Sequence, residues 1–183
     1  MKIRLASTLQ PDSIVDGEGI RTVIWTQGCK HHCKGCHNGG TWDFEGGFET
    51  TTDEIKKELS LLKGQQGITL SGGDPLFQAK ACTEIAKYAK EIGLNVWCYT
   101  GFTFEKLLQN KEALDLLKYV DVLVDGPFIL KERSLNIDFR GSRNQRVIDV
   151  KASLKAGKPI IIKKYAGERI VENTIPRAQN VFI

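Results

Sequence analysis

Two rhythms of apolar residues alternate along the chain. Short β-branched or aromatic runs recur at 20–27 (IRTVIWTQ), 67–73 (GITLSGG), 95–101 (NVWCYTG), 120–126 (VDVLVDG) and 158–165 (KPIIIKKY), and each predicts a strand. Helical spacing fills the intervals. In 51–63, Thr51 and Glu54 stand as a capping box, and Ile55, Leu59 and Leu62 share one face. In 79–93, Cys82, Ile85, Ala86, Ala89 and Ile92 share a face, and Gly93 marks the stop. Helical patterns follow at 104–119 and, more briefly, at 148–157, while 127–146 reads as irregular.

Strands that alternate with helices imply a parallel sheet with helical crossovers, an α/β fold. The 183 residues fall short of the about 250 that a closed eight-stranded (β/α) barrel takes. The expected fold is therefore an incomplete, open barrel of about five or six mainly parallel strands. The chain reads as one domain over 1–183, and 166–183 receives no role. Four strands end in QGC, SGG, YTG and VDG, each with glycine beside a polar or ligating residue. In parallel α/β folds such ends open on one side, so these segments are expected to meet at one site. An open barrel also has a lateral gap, through which a macromolecular substrate can reach that site.

Charge and composition narrow the function classes. Charged residues make up 26% and hydrophobic residues 41%, as in an ordinary globular protein. The net charge of +4 is spread among interleaved acidic and basic residues, which argues against a nucleic-acid partner. No apolar run approaches the about 20 residues of a membrane span, and the amino-terminal stretch lacks the apolar core of a secretory signal. Five cysteines, three of them crowded together, do not make a disulfide framework. A metal or redox site in a reducing, cytoplasmic compartment fits better.

That crowding is the main chemical signal. The stretch CKHHCKGCHN, residues 29–38, holds Cys29, Cys33 and Cys36 and all three histidines of the chain. Thiolates in C-x3-C-x2-C spacing suit zinc or iron–sulfur clusters. A histidine could complete a structural Cys3His zinc site. Three cysteines on a four-iron cubane would instead leave one iron without a protein ligand. Spacing alone leaves both open. Cys82 and Cys98 alternate with apolar residues and read as buried small hydrophobes.

The combination of C-x3-C-x2-C after a first strand with SGGDPL (71–76) at the next strand end resembles the radical S-adenosylmethionine superfamily. VDGEGIRTVIWTQGC resembles the approach to the cluster in activating enzymes of glycyl radical proteins. VLVDGPF (122–128) and RGSRNQRVID (140–149) resemble the branch that activates anaerobic ribonucleoside-triphosphate reductases. The resemblance implies a [4Fe–4S] cluster held by Cys29, Cys33 and Cys36. It implies S-adenosylmethionine on the fourth iron, and reductive cleavage that generates a glycyl radical on the anaerobic (class III) reductase. A flavodoxin-like protein is the implied electron donor.

Around the cofactor, the resemblance implies close backbone approach at Gly72 and Gly73 and hydrogen bonds from Ser71 and Asp74 to the ammonium, or an orienting role in the loop. It puts His37 and Asn38 beside cofactor or cluster, and Thr100 and Asp125 near the ribose or the surroundings of the carboxylate, with Asp125 facing a donor or the sulfonium, since an anion beside a carboxylate is unfavourable. Gly35 stands where the wider superfamily often has an aromatic residue near the adenine, and Asp74 where it often has Glu. Trp42 is expected to cover the cluster, and the RGSRNQ segment to dock the partner or close over the cofactor. Two other readings remain: an activating enzyme for another glycyl radical protein, such as pyruvate formate-lyase, and a non-catalytic, zinc-stabilised binding module.

Overall fold

The computed structural model describes residues 1–169; residues 170–183, most of the stretch without a role, lie outside them. Eight strands form one mixed sheet: β1 (Lys2–Leu5), β2 (Gln10–Ser13), β3 (Arg21–Thr26), β4 (Phe48–Thr51), β5 (Gly67–Gly72), β6 (Asn95–Tyr99), β7 (Val122–Asp125) and β8 (Arg146–Asp149). Their order is β4-β1-β3-β5-β6-β7-β8, with β2 also paired to β3. Only β3, β5, β6 and β7 run parallel. The flanking pairs β1–β3, β1–β4, β2–β3 and β7–β8 are antiparallel.

The expected five or six mainly parallel strands are thus corrected to four parallel central strands with antiparallel flanks. The flanking strands are four residues each and carry exposed or half-exposed positions, as edge strands do. The central strands are buried on both faces; β5 is buried at five consecutive positions, which is why it reads as a continuous apolar run. Edges β4 and β8 do not pair with each other.

Five α-helices follow the sequence pattern closely, with one split: α1 (Thr52–Leu61), α2 (Ala79–Glu91), α3 (Phe104–Leu107), α4 (Lys111–Leu117) and α5 (Val150–Ala156). The capping box of α1 is present. Thr51 Oγ1 accepts from Glu54 N at 3.2 Å, and Glu54 Oε2 accepts from Thr51 N at 2.9 Å, a cap that contributes about 1 kcal/mol. The expected helix over 104–119 breaks because Asn110 caps a new one, its Oδ1 accepting from Ala113 N at 3.0 Å. The expected last strand is reduced to one bridge between Ile161 and Ile148. Pro159 offers no amide hydrogen to a ladder, and the chain leaves β8 through a 3-10 turn at Lys163–Tyr165.

The main core joins Ile24, Ile68, Leu70, Val96, Cys98 and Leu123 of the sheet to the apolar faces of the helices. Strand alternation sends Trp97 and Val124 to the opposite face, where they pack with Val147 and Tyr165. Arg21, fully buried, lies at the amino ends of the strands. It donates to Thr69 Oγ1 (2.7 Å), Asn95 Oδ1 (2.7 Å), Glu18 O (2.9 Å) and Ile68 O (2.5 Å), with its guanidinium 5.4 Å from the Trp97 ring centre. Burial lowers its pKa to about 10, so it stays charged at neutral pH. This network closes the end of the sheet opposite the site.

Candidate metal centre

A cavity of about 450 Å³ opens where β3, β5 and β6 end. Cys29, Cys33, Cys36, His37, Asn38, Ser71, Gly72, Gly73 and Thr100 line it, so the strand ends meet as the glycine pattern implies. Trp42 lines it as well, with its ring edge-on to His32 at 4.8 Å.

The cysteine loop hangs from a fastened stem. Gly28 N donates to Thr41 O (2.8 Å) and Cys29 N to Trp42 O (3.0 Å). Gln27 Nε2 donates to Asp43 O (2.6 Å), and Gln78 Nε2 donates to Gln27 O (2.9 Å) and Arg4 O (2.8 Å). All three cysteines are free; Cys29 is buried, and Cys33 and Cys36 are half-buried. Burial pushes the Cys29 thiol up, while the backbone N–H of His31 acts the other way by donating to its sulfur. Asn38 N donates to Cys36 Sγ at 3.4 Å. Such N–H groups favour sulfur in its anionic, ligating form. No three His, Cys, Asp or Glu residues among those described converge closely enough to hold a single metal ion.

Close backbone approach explains the glycines of SGGD. Gly72 has φ +106°, and a Cβ there would lie 2.3 Å from Thr26 O, so only glycine fits. Gly73 N donates to Thr26 O at 2.7 Å. Asn38 Nδ2 reaches Gly72 O at 3.4 Å, which joins the cysteine loop to this turn.

Three expected residues lie off the cavity wall. Gly35 packs toward Leu130. Asp74 is 1% exposed and is met by protein donors. Its Oδ2 accepts from His31 Nε2 (2.8 Å), Thr100 Oγ1 (2.9 Å) and Gly101 N (3.0 Å), and its Oδ1 from Leu76 N (2.9 Å). Asp125, fully buried, accepts from Arg146 Nε (2.9 Å), Arg146 Nη2 (2.5 Å) and Phe104 N (2.7 Å). Arg146 reaches on to Glu105, with both contacts at 2.9 Å. Hydrogen bonds to these two carboxylates raise the pKa of Arg146, and its hydrogen bonds draw Glu105 down to about 2.

Within the RGSRNQ segment Ser142 is buried, Arg143 is exposed and the rest are half-buried. Gln145 Oε1 accepts from Gly141 N (2.8 Å) and Ser142 N (3.2 Å), and its Nε2 donates to Gly126 O (3.0 Å) at the end of β7. Tyr99, Val15, Ile137 and Phe139, none among the expected site residues, also line the cavity, as does Arg140 of the RGSRNQ segment. Alternation along 95–99 carries the signal for Tyr99, which shares the face of Trp97. Its burial pushes the phenol up. Arg140 Nη2 donates to Gly167 O at 2.9 Å, which fixes the chain after Tyr165 beside the cavity.

The fold and this loop define a class first: residues 15–148 match the family described as a 4Fe-4S single cluster domain. The closer relatives agree with one another in name. Each is called an anaerobic ribonucleoside-triphosphate reductase-activating protein. The relative from Vibrio cholerae is 36% identical over 74% of this chain and 91% of its own. The one from Enterobacteria phage T4 is 36% identical over 76% and 90%, and the one from Escherichia coli K12 is 35% identical over 75% and 93%. The chain belongs to the family of anaerobic ribonucleoside-triphosphate reductase-activating proteins.

Proposed function

We propose that this chain is a radical S-adenosylmethionine activase that generates a glycyl radical on an anaerobic (class III) ribonucleoside-triphosphate reductase. The observation that carries this reading is the cavity itself. Three free thiols line it beside the glycine turn of β5, yet they do not converge on one ion. A zinc ion needs all its ligands at one centre. In a [4Fe–4S] cluster each cysteine meets a different iron, so three thiols around one cavity suit the cluster, and the match of residues 15–148 to a 4Fe-4S single cluster domain favours it over the zinc-stabilised module. The names of the relatives favour the reductase over pyruvate formate-lyase as partner.

In this reading Cys29, Cys33 and Cys36 hold the cluster, and S-adenosylmethionine lies along Ser71, Gly72, Gly73 and Thr100, with His37 and Asn38 at its border. When bound, cluster and cofactor supply a one-electron cleavage of the sulfonium and the removal of a hydrogen atom from a partner glycine. The chain's own residues bind, orient and shield. Gly72 and Gly73 let a ligand approach the backbone. Trp42 and Tyr99 exclude water. Asp125 acts at one remove, through Arg146. The open sheet is read as an incomplete barrel whose gap admits a reductase segment. A flavodoxin-like electron donor is supported by the resemblance alone. A reducing, cytoplasmic setting is supported by the five free thiols; no helix among the described residues is long and apolar enough to cross a membrane.

Replacing Cys33 by Ala should abolish cleavage of S-adenosylmethionine by the anaerobically reconstituted protein. Full cleavage by that variant would falsify the reading. Glycyl radical formation, measured by electron paramagnetic resonance with the reductase or with pyruvate formate-lyase as acceptor, separates the two partners.

A further inference from the structure

The resemblance gives Asp74 either a hydrogen bond to the cofactor's ammonium or an orienting role in the loop, and its partners favour the second. Three donors meet Oδ2, one meets Oδ1, and the residue does not line the cavity. Since Thr100 and Gly101 both donate to Oδ2, that oxygen acts as an acceptor toward His31, and His31 Nε2 donates. The backbone N–H of Asp74 donates to Gly28 O at 3.0 Å. Asp74 thus grips the chain on both sides of Cys29, at Gly28 through its backbone and at His31 through its carboxylate.

The slot for the His31 ring is built. Phe102 meets the ring edge-on at 4.5 Å, and Phe77 lies 5.7 Å away. A Cβ on Gly101 would stand 2.6 Å from the imidazole, so the end of β6 accepts this ring only because residue 101 has no side chain.

Resting on the reading of Cys29 as a cluster ligand, we infer that Asp74 is a positioning residue that acts through His31: the pair holds the chain on both sides of Cys29 against the ends of β5 and β6. Partners behind a metal ligand typically change metal affinity by about 10–100-fold when removed.

The test uses the full chain, reconstituted anaerobically with iron and sulfide. His31→Leu keeps an apolar side chain in the slot but removes the donor. His31→Gln keeps a donor at similar reach. Iron loss to a chelator and the spectrum of the reduced cluster without S-adenosylmethionine are both recorded. His31→Leu should release iron about 10–100-fold faster with shifted g-values, and His31→Gln should return both toward wild type. Asp74→Asn should match His31→Leu, and the double variant should be no worse than either.

Unchanged iron retention and spectrum in His31→Leu would overturn the inference. So would a His31→Gln protein as defective as His31→Leu, since packing rather than the hydrogen bond would then be at work. If Asp74→Asn does not fold, the His31 pair decides alone. A wild-type chain that takes up no cluster removes the proposed function, and this inference with it. A wild-type cluster beside an indifferent His31 removes only the inference.

Discussion

Arg146→Met tests whether the end of β7 depends on a buried ion pair. Asp125 is 0% exposed and Arg146 is 30% exposed. The pair has two contacts, at 2.9 and 2.5 Å. Methionine keeps much of the apolar stem of arginine and removes the charge. Asp125 then stays buried with only the Phe104 N–H, 2.7 Å away, to face it. Breaking a buried pair from one side costs about 3–5 kcal/mol, and the remaining amide puts this case near the lower end. A loss of about 3 kcal/mol lowers the melting point of a chain of this size by about 6–12 °C. Urea unfolding of the metal-free, reduced chain, followed by circular dichroism at constant m-value, measures the loss. Adding Asp125→Asn to Arg146→Met should recover most of it, since the amide oxygen still accepts from Phe104 and no charge is left buried. A loss below about 1 kcal/mol, the range of exposed pairs, would refute the reasoning.

Thiol accessibility offers a second check. In the metal-free native chain, Cys33 and Cys36 should alkylate first and Cys29 more slowly. Cys82, which burial pushes up to about 12, and Cys98, which burial raises well above the ordinary thiol value, should react only on unfolding; peptide mass spectrometry that finds Cys98 labelled as fast as Cys33 contradicts this. Glu105 bears on acid stability. Its carboxyl is drawn from an ordinary 4.5 to about 2, first by the Arg146 hydrogen bonds, so its stabilising effect is complete above 4.5 and is lost as pH falls through about 2. Glu105→Gln should cost about 0.5 kcal/mol at pH 7, as exposed pairs do, and the two unfolding curves should converge near pH 2; a constant gap across that window rules the pair out as the cause.

What the sequence discloses follows from how locally each feature is determined. The central strands and the first two helices were legible because burial writes itself as a period: continuous in 67–72, at helical spacing in 79–91. The antiparallel flanks were not legible. Phe48–Thr51 reads FETT, with two of its residues exposed and two half-buried, and its pairing with β1 depends on a partner more than 40 positions away. The isoleucines at 160–162 looked like a strand because hydrophobicity does not report that Pro159 withholds a donor.

The site divides in the same way. Cysteine spacing and the strand-end glycines were legible, and so was their convergence on one cavity. The direction taken by a strand-end carboxylate was not. Asp125 closes β7 and Asp74 follows the glycines that end β5, and each turns toward a partner supplied by distant sequence, His31 for Asp74 and Arg146 for Asp125.

The fastened stem of the cysteine loop has a consequence for how the centre is maintained. Backbone bonds at Gly28–Thr41 and Cys29–Trp42, with Gln27 and Gln78 beneath them, close the loop through the chain's own groups. In a zinc finger, ion binding and chain folding are one event. Here the polypeptide supplies closure of its own, so the stem is expected to hold its shape whether or not the cluster is seated. Loading then asks only for delivery of iron and sulfide to a preformed seat, with little of the chain left to fold around them.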